Sequence, residues 1–312
     1  MPFFFLFLVF CIIFPLYRHN KEKKKGSKKM QKSIRTDLAL EAHELIRAKK
    51  TEDIKGIVAN ETKRGNITIT QVEILNEMGA KAIGKQKGTY VTIEAPNIKY
   101  DNTEFENVCS IICDELKKMA DINKNTLTLV VGLGNRQITP DALGCEVVNN
   151  LLITHHMKNV FENDISSVCA IAPGVLGTTG IETVEIIKGI CEKVKPNLVI
   201  AVDALAAADI KRMSTTIQLA DTGIAPGSGV GNDRKGINYD TLGTKVIAVG
   251  VPTVIDASNI SDIEIPQEIA PLMVTSKDID AVIKRMSKAV AYGINLALQQ
   301  NISLQDINDL VG

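Results

Sequence analysis

Three stretches of this chain are apolar almost without interruption: "TLTLVVG" (126–132), "NLVIAVDAL" (197–205) and "KVIAVGVP" (245–252). A strand with one wet face alternates apolar and polar residues, whereas a strand covered on both faces does not. Runs of this length, separated by stretches of helical period, predict strands sandwiched between helices. The chain is therefore expected to be an α/β protein with a mainly parallel central sheet flanked by helices. In such sheets ligands gather beyond the carboxyl ends of the strands. The residues just after Val131, Val202 and Gly250 become the place to look.

The remaining elements fit around that frame. Residues 38–50 read as an amphipathic helix, with Leu38, Leu45 and Ile46 on one side. "NITITQVEIL" (66–75) and "GTYVTIEAP" (88–96) alternate and are β-branched, so they are predicted strands. Residues 103–120 have helical period, with Thr103 and Glu106 spaced for a capping box. Residues 140–152 and 180–194 are predicted helices, and 277–300 a long closing helix or helix pair. Nothing between 38 and 312 resembles an interdomain linker, so one α/β domain is expected there.

The first 29 residues stand apart. "MPFFFLFLVFCIIFPLY" holds six of the eight phenylalanines and is followed by a basic run, "RHNKEKKKGSKKMQK". The apolar part is short against the roughly 20 residues of a membrane span. It has neither the basic start nor the small-residue cleavage site of a secretory signal. Two readings stay open: an anchor with its lysines in the cytoplasm, or an upstream extension with the start at Met30.

Lysines and arginines balance aspartates and glutamates at 36 each, which argues against bulk nucleic-acid binding. Six cysteines (11, 109, 113, 145, 169, 191) form no Cys-x-x-Cys pair, and Cys109 and Cys113 share a helix face. They read as reduced core residues. With four histidines and no His-Glu-x-x-His, no zinc signature is present.

Two glycine-rich stretches invite a nucleotide reading, and both fail it. Gly132 and Gly134 follow a predicted strand, but the dinucleotide fingerprint needs glycine where Gln137 stands. "GIAPGSGVGN" (223–232) lacks the Gly-Lys-Ser/Thr ending of a P-loop, and Ser228 is not in a Gly-x-Ser-x-Gly elbow.

The aspartates carry more. Thr139-Pro140-Asp141 reads as a helix start, with Thr139 as N-cap and Asp141 in the first turn. Capping alone would explain Asp141, since acids favour that end of the helix dipole. Asp203 follows "LVIAV" directly, where a charge is either buried or at a cleft. Asp221 in "ADTGIAPGSG" is a third candidate. Two carboxyls close together cannot both ionise easily, so one keeps its proton. With Asp141 at a helix start, Asp203 is the expected proton holder. Such a pair can activate a water and protonate a leaving amine. It could also bind a metal, although no histidine stands at a comparable strand end.

At this level the chain closely resembles the germination protease (spore protease) family of endospore-forming bacteria. The matching segments are "IRTDLALEAHEL" (34–45), "GLGNRQITPDALG" (132–144), "APGVLGTTGIETVEII" (172–187), "AVDALAA" (201–207), "DTGIAPGSGVGNDRKGI" (221–237) and "VIAVGVPTVIDA" (246–257). The resemblance covers about residues 30 to 312 and none of 1–29. It implies an endopeptidase that degrades small acid-soluble spore proteins at germination, in the spore core. It implies an atypical aspartic peptidase with a fold similar to hydrogenase maturation endopeptidases. The family's catalytic aspartates fall on Asp141 and Asp203, the pair reached from the residues. In the maturation enzymes a histidine completes a metal site, and no match to it is found here, so no metal or other cofactor is expected.

The resemblance further implies a zymogen that cuts itself. Family sites place an acidic residue before the cut and then apolar-Ala-x-Glu, the order of "TDLALE" (36–41). The cut is expected between Asp37 and Leu38, with 30–37 as the propeptide and 38–312 as the peptidase domain. A homotetramer is implied, with spore proteins as substrate and no direct nucleic-acid contact. Arg136 or Arg234 could favour the acidic residue before the cut. Rival readings are a metal-dependent maturation-type peptidase, a non-enzymatic nucleotide- or partner-binding α/β protein, and a nucleophile at Ser228 or Cys145.

Overall fold

A strand pairs only as far as its neighbour runs, and here the neighbours end at different places. The computed structural model describes residues 36–48, 54–157, 165–227, 235–260, 272–299 and 301–311. Residues 1–35, Ser228 and Arg234 lie outside them, and with them the N-terminal extension, Cys11 and most of the expected propeptide.

The described elements run in order α1 (Ala39–Arg47), β1 (Ile57–Arg64), β2 (Ile67–Ile74), α2 (Glu77–Ile83), β3 (Gly88–Glu94) and α3 (Asn102–Met119). They continue with β4 (Thr128–Gly132), α4 (Leu143–Asn149), β5 (Val168–Ile171), α5 (Leu176–Thr179), α6 (Thr183–Val194) and β6 (Leu198–Ala207). The chain closes with β7 (Thr216–Ala220), α7 (Tyr239–Leu242), β8 (Lys245–Asp256), β9 (Met273–Thr275), α8 (Ile279–Leu298) and α9 (Leu304–Val311).

The nine strands among the described residues belong to one sheet, in the order β1-β2-β3-β7-β8-β6-β4-β5, with β9 against β8. The three apolar runs are its parallel heart: β4, β6 and β8 pair parallel, and β5 joins β4 the same way. Beyond β8 the sheet turns antiparallel through β7, β3, β2 and β1. The expected α/β class with flanking helices is present, but the sheet is mixed rather than mainly parallel. The reason is local. β1 and β2 form a hairpin, and β1 is exposed along nearly its whole length. Strands that need only one covered face need no crossover helix.

Alternation along the central strands sorts the core into two layers. Val130, Ile200, Val202, Ile247 and Val249 pack with α3 and α8, through Ile112 and Met286 among others. Leu129, Val131, Val199 and Ala201 face the other way, onto Val184, Ile187 and Cys191 of α6. α1 and α2 cover the antiparallel part of this second face, where Ala39, Leu40 and Ile83 meet Val72, Ile74 and Tyr90. The long closing helix is one piece, α8. Among the described residues no helix is long and apolar enough to cross a membrane.

Two expected caps are displaced. α3 is capped by Asp101, whose carboxylate accepts the N–H groups of Thr103 and Glu104, so the Thr103–Glu106 box does not form. A charged acceptor two residues earlier outcompetes a threonine hydroxyl. Residues 139–141 form a short 3-10 turn with Ile138 in the N-cap position, and α4 begins only at Leu143.

Candidate active site

The site is made by a mismatch in strand length. β4 stops at Gly132, opposite Val202, while β6 and β8 run on side by side through Asp203 and Gly250. Asp203 is thus the first residue of β6 without β4 beside it. It lies inside a strand rather than past its end, and the gap left by β4 is the crevice. Alternation puts Asp203 on the face of Val199, Ala201 and Leu205.

The chain leaving β4 folds back over that gap. Leu133 donates its N–H to Val202 O at 2.8 Å. Gly134 has φ +100°, and an added Cβ would lie 2.0 Å from the carbonyl oxygen of Asp141. Gly144 is pressed equally close, since a Cβ there would meet Leu133 N at 2.4 Å and Val202 O at 2.6 Å. Asp141 accepts the N–H of Asn135 at 2.8 Å, and the carbonyl of Pro140 accepts the Thr253 hydroxyl at 2.7 Å. The glycines therefore serve as a tight turn and a close-packed helix start, which together present Asp141 at the open edge beside Asp203.

Asp203 is 7 % exposed, and its carboxyl accepts the N–H of Ala204 at 2.9 Å. Burial pushes its carboxyl well above the usual carboxylate range; the charge on Asp141, and then that on Asp37, push the same way, and only the Ala204 N–H opposes them. The charge on Asp141 thus reaches Asp203, whose buried carboxyl is the one pushed toward its protonated form. Asp221 sits elsewhere. It is exposed and accepts Thr89 N–H at 2.8 Å, tying β7 to β3.

Asp37, the residue expected before the cut, lies at the same site. Its N–H donates to Ala206 O at 2.9 Å, and its carboxylate accepts Ala206 N–H at 2.8 Å. Leu38 is fully buried against Leu205 and Ala207. The segment is pinned further along by Glu41, which accepts Ala208 N–H at 2.7 Å, Asp209 N–H at 2.9 Å, and the hydroxyl of Thr36. Burial raises the Glu41 carboxyl, against the pull of those donors and of Arg212. Arg212 in turn binds Glu94 at 2.7 Å and grips Glu44 at 2.5 and 2.8 Å. Asp37, Asp141 and Asp203 line one cavity of about 790 Å³, ample for several residues of extended peptide.

The other expectations resolve plainly. Arg136 is exposed and donates to Asn149 at 3.2 Å, Arg234 lies outside the described residues, and the Asp37 carboxylate accepts the Ala206 N–H. Cys109, Cys113, Cys145, Cys169 and Cys191 are free thiols. Burial pushes the Cys145 thiol up, the reverse of what a nucleophile needs. Among the described residues no three His, Cys, Asp or Glu side chains cluster to hold a metal ion.

Residues 36–269 match the family model described as germination protease. The chain belongs to the germination protease family. It is 41% identical to a germination protease of Clostridium tetani, over 88% of this chain and 98% of that one. It is 43% identical to that of Caldanaerobacter subterraneus (89% and 98%) and 46% to that of a Geobacillus strain (84% and 70%). Among solved structures it is similar to a NiFe hydrogenase maturation protease of Thermococcus kodakarensis, with TM-score 0.35 and 18% identity, covering 59% of this chain and 99% of that chain. Membership makes the chain a peptidase.

Proposed function

We propose that this germination protease family member is an endopeptidase that works through an acid pair, Asp141 and Asp203. In this reading Asp141 is ionised and draws a proton from a water lying between the two carboxyls. The water attacks the scissile carbonyl, and Asp203 protonates the leaving amine. No covalent intermediate forms. The observation that carries the reading is the burial of Asp203 within reach of the Asp141 charge, in a cavity that also contains an acidic residue of the chain's own N-terminal segment.

Substrates are small acid-soluble spore proteins, cut at germination in the spore core, after an acidic residue and before apolar-Ala-x-Glu. The chain carries that order at 36–41, so it is made as a zymogen that cuts itself between Asp37 and Leu38. The docking of Asp37 against Ala206 and of Leu38 against Leu205 supports this. The working form is a homotetramer, which a molar mass by light scattering other than four chains would contradict.

Incubation of the purified chain under mildly acidic, dehydrating conditions is expected to yield a new N-terminus at Leu38 by mass analysis. A stable chain with no such product, or a cut mapped elsewhere, contradicts the zymogen reading.

A further inference from the structure

The carbonyl of the Asp37–Leu38 bond is held by two side chains that the acid pair does not include. Lys85 Nζ donates to Asp37 O at 2.9 Å and to Thr36 O at 3.2 Å. Gln218 Nε2 donates to the same Asp37 oxygen at 3.2 Å. The other end of that amide, Gln218 Oε1, accepts the N–H of Ala39 at 2.7 Å. Gln218 thus spans Leu38 as a neighbouring strand would, fixing which peptide lies at the carbonyl site. Lys85 comes from the turn after α2 and Gln218 from β7, so the antiparallel half of the sheet supplies this part. Both line the cavity that holds Asp141 and Asp203.

The choice of partner is informative. Lys85 is a half-buried cation, and burial lowers its pKa against the pull of Asp37 and Glu41. Its two hydrogen bonds among the described residues go to neutral main-chain carbonyls. A buried ammonium gains little from a neutral carbonyl in the ground state. It gains far more when that oxygen becomes negative in a water-poor site.

We propose that Lys85 and Gln218 are catalytic residues that receive the oxyanion formed at the bond being cut, and that Gln218 also sets its register. The inference rests on the proposed function, in which Asp37–Leu38 is cut by the Asp141–Asp203 pair. Water oxygen bonds to the Asp37 carbonyl carbon as Asp141 takes one of its protons. The carbonyl electron pair moves onto oxygen, which Lys85 Nζ and Gln218 Nε2 hold. The pair returns, the C–N bond breaks, and the Leu38 nitrogen takes the proton of Asp203. The new carboxylic acid loses its proton, and the proton on Asp141 passes back to Asp203.

The test follows the first-order rate at which full-length chain yields the Leu38 N-terminus. Lys85→Met, Lys85→Arg, Gln218→Met and Asp203→Asn are compared with the parent, each checked by thermal melting. Loss of one such donor costs on the order of 10²–10³-fold, so Lys85→Met and Gln218→Met are expected to slow by that much. Lys85→Arg, still a cationic donor, is expected to keep at least tenfold more rate than Lys85→Met. A residue that merely clamps the uncut segment gives the opposite sign, since loosening it leaves the cut as fast or faster. Folded Lys85→Met cutting within threefold of the parent, with Asp203→Asn inactive, overturns this inference alone. Asp203→Asn cutting normally overturns the acid pair beneath it. Should Lys85→Met fail to fold, Gln218→Met is judged by the same threefold limit.

Discussion

Replacing either acid by its amide is expected to reduce peptide cleavage by about 10³-fold or more while leaving the fold intact. General acid–base groups contribute on the order of 10²–10⁴-fold each, and here the two act on the same proton inventory. Asp141→Asn removes the acceptor for the water's proton; Asp203→Asn removes the donor to the leaving amine. Because they work as a unit, the double variant should be scarcely slower than either single one. The assay is cleavage of a peptide carrying residues 34–41 of this chain, beside the chain's own processing. Either single variant, folded and within about tenfold of the parent, would remove that residue from the chemistry. The stability of Asp203→Asn supplies an internal check. Asp203 is raised in the folded chain, so its favourable contribution is complete below the ordinary carboxylate range and is lost as pH rises toward its folded value. An asparagine has no such loss. The variant should therefore melt with the parent near ~pH 3 and above it at neutral pH.

The second large effect is expected at a residue that has no side chain of its own. Gly134→Ala puts a methyl 2.0 Å from the Asp141 carbonyl oxygen at a φ of +100°. Neither the strain nor the overlap can be relieved without moving the turn that carries Asp141. A loss of about 2–4 kcal/mol in urea unfolding is expected, from strained backbone and overpacking together. Activity should fall at least about 10²-fold in the fraction that remains folded, since small misplacements at a reacting centre are costly. Gly65→Ala in the β1–β2 turn is the control, because its added methyl meets nothing within 4 Å. It should lose only about 1 kcal/mol and keep full activity. Equal damage from both substitutions would mean that Gly134 is merely a turn glycine.

The frame of this molecule is legible where one physical cause dominates. β4, β6 and β8 announce themselves because both their faces are covered. Asp203 stands out because a charge inside such a run needs a reason. The alternation in β2 marks a strand with one wetter face, and hence an antiparallel extension, whereas β3 is covered on both faces despite its threonines. β1, "IVANETKR", is an exposed polar edge with no apolar pattern to read. β7, "TIQLA", is five residues long with a glutamine at its centre. That same Gln218 is a site residue, and its polarity hid the strand. Lys85 in "GKQKG" has the look of a solvated turn charge. Only long-range packing brings it to the Asp37 carbonyl, and no local spacing encodes that. At α3 an aspartate two residues ahead takes the main-chain donors that the simpler pattern assigns to threonine. At Asp141 the carboxylate reaches back to the Asn135 N–H, and Thr139 opens only a 3-10 turn.

The account rests on one shared proton, and that proton can be observed. In chain labelled with carboxyl-¹³C aspartate, the Asp203 signal is assigned by its loss in Asp203→Asn and followed against pH. It is expected to titrate well above the usual carboxylate range, and to move downward in Asp141→Asn, where the neighbouring charge is gone. An Asp203 that titrates like an ordinary surface aspartate, or whose midpoint is unmoved when Asp141 is neutralised, would contradict the proposed acid pair.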